Sequence, residues 1–482
     1  MKTTLYIILT ALSAAFIATI TPAAAQTADW PGYLFDLQHS SKNNAATAIT
    51  TANASTLVED WSFVDPQPTF QDQPAASFFS SPTVVNGVVF IGSNTGMFYA
   101  LNETTGALLW QQLLGYTTPI TCGRGHGVAS TATVATDPVS GTLTVYVGGG
   151  DGYLYALNAA TGQVVFRTFV TDVGTTENLG FVWGSPTILS GKIYLGFASA
   201  CDNPLVRSAV KSFDQHTGAP VRTFWTGTNG QTGAGVWSTA ASTGKSIWIT
   251  TGNGTADHAF AIIKLNASNL RLQSEWLNPL MGDLDWGSSP TLFRAKVNNV
   301  NTQLVGANGK DGIFHVLDAD NLGNGPIWSF QVGTTADFSI GTCLAAPVWD
   351  AAGRKLYVAS NQTTIQSQLF AGSVRCFNPG TGSVIWERGL TGGPVMSSPT
   401  MNGAGVLAAG TYNLTAPTLN AVYLLDSSNG NILATIPESN SIMFAQPVFA
   451  GEHLFVATAA GIIGQGGKLT ALTPSALKAA QK

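Results

Sequence analysis

Seven polar residues interrupt an otherwise apolar, turn-rich sequence at places where the surrounding pattern does not require them. They are Arg124 in CGRGHG, Asp202 and Asn203 in ACDNP, Asn253 in TTGNG, Asp283 and Asp285 in GDLDWG, and Lys310 in NGKDG. A carboxylate beside carboxamide oxygens suits a hard cation such as Ca²⁺, and a second carboxylate suits a base. Arg and Lys suit anionic or carbonyl oxygens. The competing reading is that each Asp and Asn forms only the side-chain hydrogen bonds usual in turns. Beside these groups stand three tryptophans, Trp183 in WGSP, Trp237 in WSTA and Trp286 in WGSSP. They read either as plugs of a channel or as an aromatic floor for a planar ligand. His126 stands alone among these residues, which supports no zinc site. No Cys-x-x-Cys-His occurs, so no c-type haem attaches within this sequence, and neither a GxSxG elbow nor a phosphate loop is present.

The elements that must position these residues come from a repeat. GMFYALNETTGALLW at 96–110 returns as YALNAATGQVVF, VKSFDQHTGAPV, FHVLDADNLGNGPIW, VRCFNPGTGSVIW and VYLLDSSNGNIL, with weaker copies from Ile263 and Lys468. Each reads as a β-hairpin: an alternating strand, an Asn/Asp-x-x-Thr-Gly turn and a second strand. A further strand pair precedes each hairpin, with an entry such as SSPTVVNGVVFIGS or MSSPTMNGAGVLAAG. Ala100, Ala156, Ser212, Lys264, Val316, Cys376, Leu424 and Ala471 mark equivalent positions, spaced by 56, 56, 52, 52, 60, 48 and 47 residues. Four strands at this period predict an all-β, eight-bladed propeller. The last copy, GKLTALTP, lacks its fourth strand, while LVEDWSF at 57–63 is a strand without a hairpin. We therefore expect the N-terminal strand to close the C-terminal blade, with Trp61 in the slot held elsewhere by Trp110, Phe166, Trp276, Trp328 and Trp386. Arg222 and Ala434 occupy that slot in blades three and seven.

Lys2, an apolar run to about Ile20 and TPAAAQ read as a secretory signal cut near Ala25. The expected division is a signal peptide over 1–25, an N-terminal segment over 26–56, the propeller over 57–475 and a tail over 476–482. The predicted location is secreted or periplasmic, without a membrane span or lipid anchor. A formal charge of −5 with no basic run argues against nucleic acid as a partner. Four cysteines in an exported chain permit disulfides. Cys122 and Cys201 fall in segments expected on one loop face, which favours a bridge between them, while Cys376 replaces a small strand residue and reads as a packed thiol.

The hairpins resemble the tryptophan-docking motifs of eight-bladed pyrroloquinoline quinone (PQQ) dehydrogenases. The order of WPGYLFDLQHSSKNN, VWSTAASTGKSIWITTGNG, DLDWGSSPTLF and GANGKDGIFHVLDAD is most similar to polyvinyl alcohol dehydrogenase-type propellers, over about residues 29–472. The resemblance implies PQQ and Ca²⁺ as cofactors, oxidation of a primary or secondary alcohol, small or polymeric, and a separate electron acceptor. It places Arg124 on a PQQ carboxylate, Trp237 under the ring system, Lys310 at the quinone oxygens, and Asn361 in VASNQ as a further cofactor contact. Asn253 would ligand the metal, and Asp285, or failing it Asp283, would be the base. Catalytic relatives carry a metal-binding glutamate four residues before an Arg in blade three. Counting back from Arg207 gives Asn203, with Asp202 beside it as the replacement carboxylate. The adjacent cysteine pair of many alcohol-oxidising relatives is missing here. Non-catalytic propellers share these hairpins, so a protein- or glycan-binding scaffold is the alternative function.

Overall fold

The computed structural model describes residues 28–67, 77–117, 126–171, 180–278, 280, 282–335, 341–413, 415–438, 441–442, 445–460 and 466–480. The segment read as a signal peptide, Cys122 and Arg124 lie outside the described residues. Eight four-stranded antiparallel units form an eight-bladed β-propeller. Blade one shows the pattern: Thr83–Val85, Val88–Gly92, Met97–Asn102 and Leu108–Leu113, paired in sequence order. The two middle strands are buried on both faces, and the outermost strand alternates toward solvent. That is why the middle strands read as near-continuous apolar runs.

The ring closes as expected. Leu57–Phe63 pairs antiparallel with Leu469–Pro474, with Trp61 opposite Ala471. Trp61 then docks on blade one. Its Nε1 donates to Glu103 O at 2.9 Å, and its ring covers Gly106, where an added Cβ would lie 2.5 Å from a ring carbon. Gly106 has φ +68°, so the turn needs both left-handed backbone and the absence of a side chain. The same dock recurs with Trp110 on Ala159 O and Gly162, Trp328 on Pro379 O and Gly382, and Trp386 on Ser427 O and Gly430. Blade four departs from it. A longer turn containing Leu322–Asn324 displaces the glycine, Trp276 packs on Trp286 and His315, and Trp248 Nε1 reaches Ala319 O at 3.0 Å instead.

Residues 30–43, which carry no repeat, cross the lower end of the ring as a strap. Its carbonyls accept the amide two residues after the proline-equivalent position in six blades. Trp30 O takes Val84 N, Pro31 O takes Val134 N, Leu37 O takes Ser242 N, Gln38 O takes Leu292 N, Ser40 O takes Trp349 N and Ser41 O takes Met401 N, at 2.6–3.0 Å. Lys42–Asn43 adds a parallel strand beside Thr400–Asn402, and Asn43 Nδ2 donates to Phe449 O of blade eight. Buried amides at the inner strand edges thus find partners without a further sheet. Leu34, Phe35, His39 and Ser41 hold left-handed backbone to make these turns, strain that the buried packing of Trp30 and Leu34 offsets. At the C-terminus, where a tail was expected, Ser475–Ala480 is a short helix. Among the described residues, no helix is long and apolar enough to cross a membrane.

Candidate active site

The loops entering the inner strands of blades three to five, together with the loops between their second and third strands, bring most of the singled-out side chains around one cavity of about 490 Å³. Trp183, Asp202, Trp237, Asn253, Asp283, Asp285 and Lys310 all line it. Lys310 stands at its centre. Its Nζ lies 2.5 Å from Asp283 Oδ1 and 2.6 Å from Asp285 Oδ1, and 5.3 Å from the centroid of the Trp237 ring. Trp237 Nε1 donates to Asp285 Oδ2 at 3.1 Å, and the Lys310 amide donates to the Asp285 carbonyl. The carboxylate is thereby positioned by two neighbouring blades. On the solvent side, Asn253 Nδ2 donates to Asp202 Oδ2 at 2.9 Å, leaving the amide oxygen of Asn253 available.

Burial pushes Asp285 above the usual carboxylate range; Lys310 opposes this, and the charges of Asp283 and Asp202 add to it. Burial alone would lower Lys310, but Asp285 and Asp283 outweigh it and leave the ammonium above the usual lysine range. The lysine is therefore charged at neutral pH. Asp285 Oδ1 is in ion-pair contact with Lys310 yet receives no well-directed hydrogen bond. Three carboxylates and one ammonium leave the cluster about two charges negative. The excess of hard oxygens at Asp202, Asn253 and Asp285 is of the kind a cation such as Ca²⁺ prefers, but among the described residues no group of three or more His, Cys, Asp or Glu is placed to hold a metal ion.

The remaining candidates are placed differently. Asn203 is exposed and does not line the cavity. Asn361 is fully buried and its amide is taken up by the chain: Oδ1 accepts from Thr334 N and Cys343 Sγ, and Nδ2 donates to Thr334 O and Gly341 O. Cys201 is disulfide-bonded, and Cys343 and Cys376 are buried free thiols, each pushed up to about 12 by burial. His126 packs edge-on against Trp183 with ring centroids 4.8 Å apart.

The grouping of three tryptophans needs correction. Trp183 and Trp237 line the axis, but Trp286 is wholly buried between blades, against Trp276 and His315. Trp183 lies three residues before its proline and Trp237 three before the equivalent Ala240, whereas Trp286 lies four before Pro290. A one-residue slip turns an extended side chain to the opposite face. Gly287 takes the axial place instead, and the Trp237 ring lies over it, 2.0 Å from where a Cβ would stand.

A feature unnoticed in the sequence lies below. The residue before each proline-equivalent position forms a belt around the axis: Ser81, Thr131, Ser185, Thr239, Ser289 and Ser398, interrupted by Ala346 and Gln446. Ser81 N donates to Thr131 Oγ1, Thr131 N to Ser185 Oγ, Ser185 N to Thr239 Oγ1 and Thr239 N to Ser289 Oγ, at 2.9–3.0 Å. Ala346 N donates to Ser398 Oγ and Gln446 N to Ser81 Oγ. The recurring hydroxyl in SSP, STA and GSP was the available signal.

With this geometry in hand, the family described as "Glucose/ethanol/alcohol dehydrogenase, beta-propeller domain" matches residues 30–269. The chain carries a PQQ-family β-propeller domain. A quinohemoprotein alcohol dehydrogenase of Comamonas testosteroni is 28% identical over 198 residues, 40% of this chain and 25% of that protein. The outer membrane protein assembly factor BamB of Yersinia pestis is 32% identical over 133 residues, 27% of this chain and 31% of that protein. The matched stretches therefore span a third or less of these relatives. A europium-containing methanol dehydrogenase superposes with TM-score 0.74 at 14% identity, covering 92% of this chain and 98% of that one, a likeness of fold.

Proposed function

We propose that the chain is an exported, PQQ- and calcium-dependent alcohol dehydrogenase-like propeller that oxidises a primary or secondary alcohol and passes electrons to an external acceptor. The observation that carries the reading is the convergence of Trp237, Asn253, Asp285 and Lys310 on one cavity. When bound, PQQ supplies a quinone able to accept the electrons of alcohol oxidation. Trp237 offers the flat apolar face on which a planar ring would rest, and its N–H keeps Asp285 oriented. Asp202 and Asn253 would hold the calcium, with Asn203 as a further candidate ligand, which leaves Asp285 to act as the base. Arg124 is proposed as an additional cofactor contact, whereas the amide of Asn361 is already taken up by Thr334, Gly341 and Cys343 and would only hold that loop in place.

Asp285 takes the proton of the alcohol hydroxyl. Its elevated pKa makes it a stronger base than a solvated carboxylate. Lys310, charged and held between two carboxylates, presents a donor to a carbonyl or anionic oxygen while limiting the repulsion between Asp283 and Asp285. The test is calorimetric titration of the protein with PQQ, with and without Ca²⁺, beside Asn253→Ala, whose side chain, among the described residues, bonds to Asp202 at the cavity edge. Calcium-dependent binding that the substitution weakens at least tenfold is the expected result. No heat with either protein would remove the cofactor reading.

A second reading is a non-catalytic scaffold binding a protein or a glycan. The exposed Asn203, where the resembled enzymes carry a glutamate, favours it, as do the BamB similarities. Under it, PQQ gives no heat and dye reduction fails with every alcohol.

A further inference from the structure

Beneath the Trp237 ring, the axial channel contains a second cavity of about 450 Å³, which shares His126, Trp183, Trp237 and Lys310 with the first but extends down to residues that the quinone reading does not use. This volume falls in the range of about 300–1,000 Å³ usual for small-molecule sites. Tyr33 of the strap closes its lower end, the hydroxyl belt forms its wall, and Phe79, Trp183, Leu344 and Met396 make an apolar upper rim.

The belt has a directional consequence. Ser81, Thr131, Ser185 and Thr239 each use an oxygen lone pair to accept a backbone amide, so none of these bonds employs the hydroxyl proton. All four side chains are at least nine-tenths buried and line the cavity. Thr342, on the opposite wall, adds an independent observation: it is 2% exposed, and its Oγ1 has no hydrogen-bond partner. Burying the wholly unpartnered Thr342 hydroxyl is costly, and four further hydroxyls along the same wall retain a proton to donate, so the space suits an occupant that supplies acceptors.

Charge narrows the class. Lys310 is the one permanently charged group among the described lining residues, and its ammonium is committed to Asp283 and Asp285. With two of the three Lys310 N–H bonds taken by Asp283 and Asp285, a carboxylate in the channel would gain one donor at most and would face the net negative cluster around it. From this geometry we infer that the channel is a binding site for a small uncharged carbonyl compound, a ketone or aldehyde whose oxygen accepts from the hydroxyl belt and Thr342. Its hydrocarbon part packs against the rim. The inference does not depend on the quinone reading, because its test needs neither PQQ nor calcium.

The experiment is titration of the cofactor-free protein with 2-hexanone and, separately, with hexanoate, followed by calorimetry and ligand-observed NMR. Saturable binding of the ketone at one site is expected, with hexanoate at least tenfold weaker. Thr342→Val removes the unpartnered hydroxyl at constant shape. It should weaken ketone binding about three- to tenfold, the worth of one hydrogen bond, without lowering the melting temperature. Met396→Trp, which fills the rim, should abolish binding and serves if the first variant does not fold. Absence of saturable ketone binding, equal affinity for hexanoate, or wild-type affinity in Thr342→Val or Met396→Trp overturns the proposal and leaves a water-filled channel.

Discussion

The indole N–H of Trp237 donates to Asp285 Oδ2 at 3.1 Å, so the ring flooring the cavity also holds the buried carboxylate beside it. Trp237→Phe separates the two roles, since phenylalanine retains an aromatic face but has no donor. Losing a hydrogen bond to a buried charge should cost about 1.5–3 kcal/mol at pH 8. Asp285 should then ionise at a higher pH than in the wild type. Infrared difference spectroscopy of the carboxyl stretch during a pH titration measures this, and an unchanged titration would show that the bond does not govern Asp285.

Lys310→Gln leaves Asp285, whose side chain is 7% exposed, without its ammonium partner. Breaking such a buried pair typically costs about 3–5 kcal/mol. The loss should depend on pH in a definite direction. A carboxyl whose folded pKa is raised loses stability as pH rises from its unfolded value through its folded one. The variant should therefore lie closest to wild type near pH 5 and furthest from it near pH 8, as read by melting temperature across that range.

Ring closure rests on Trp61 over Gly106, and a matched pair of substitutions isolates that contact. Gly106 and Gly87 have φ +68° and +78°, but a Cβ at Gly106 meets the Trp61 ring at 2.5 Å while one at Gly87 meets nothing within 4 Å. Gly87→Ala should cost only the left-handed backbone penalty, about 1–2 kcal/mol. Gly106→Ala should cost a further 1–3 kcal/mol from overpacking. Denaturant unfolding of both proteins gives the difference, and equal losses would mean that the dock yields freely.

These contrasts explain what could be read in the sequence. The closure by Leu57–Phe63 was legible because an incomplete hairpin and a lone tryptophan strand implied each other. Asp285 and Lys310 were legible as polar breaks in an apolar pattern. Trp286 misled because its kind was noted but not its distance to proline, and one residue of register decides which face it occupies. The strap was hidden for a different reason: its work is done by carbonyls, which every residue has, and by a side chain such as Asn43 whose partners are remote in sequence. Asn43 Nδ2 donates to Ala28 O, Asp29 O and Phe449 O. Asn43→Leu should cost about 2–3 kcal/mol by leaving buried carbonyls unpaired, measured by denaturant unfolding; a neutral result would show that the strap relaxes around the change.

His39 ties the same strap to pH. Its ring is buried and Nδ1 lies 2.7 Å from Pro290 O, so the neutral tautomer with a proton on Nδ1 is held there. Burial lowers its pKa from 6.5 to about 4, against the opposing influence of the Pro290 carbonyl and of Asp36. The unfolded chain takes up the proton below about 6.5 and the folded chain only below about 4. Stability from this group is therefore complete above pH 6.5 and falls as the pH drops through that window, by on the order of 3 kcal/mol in total. His39→Gln keeps a donor for Pro290 but cannot titrate. It should lose less stability than the wild type between pH 6.5 and 4, even if it starts lower. Parallel unfolding curves across the window would mean that the strap opens before His39 is protonated in place.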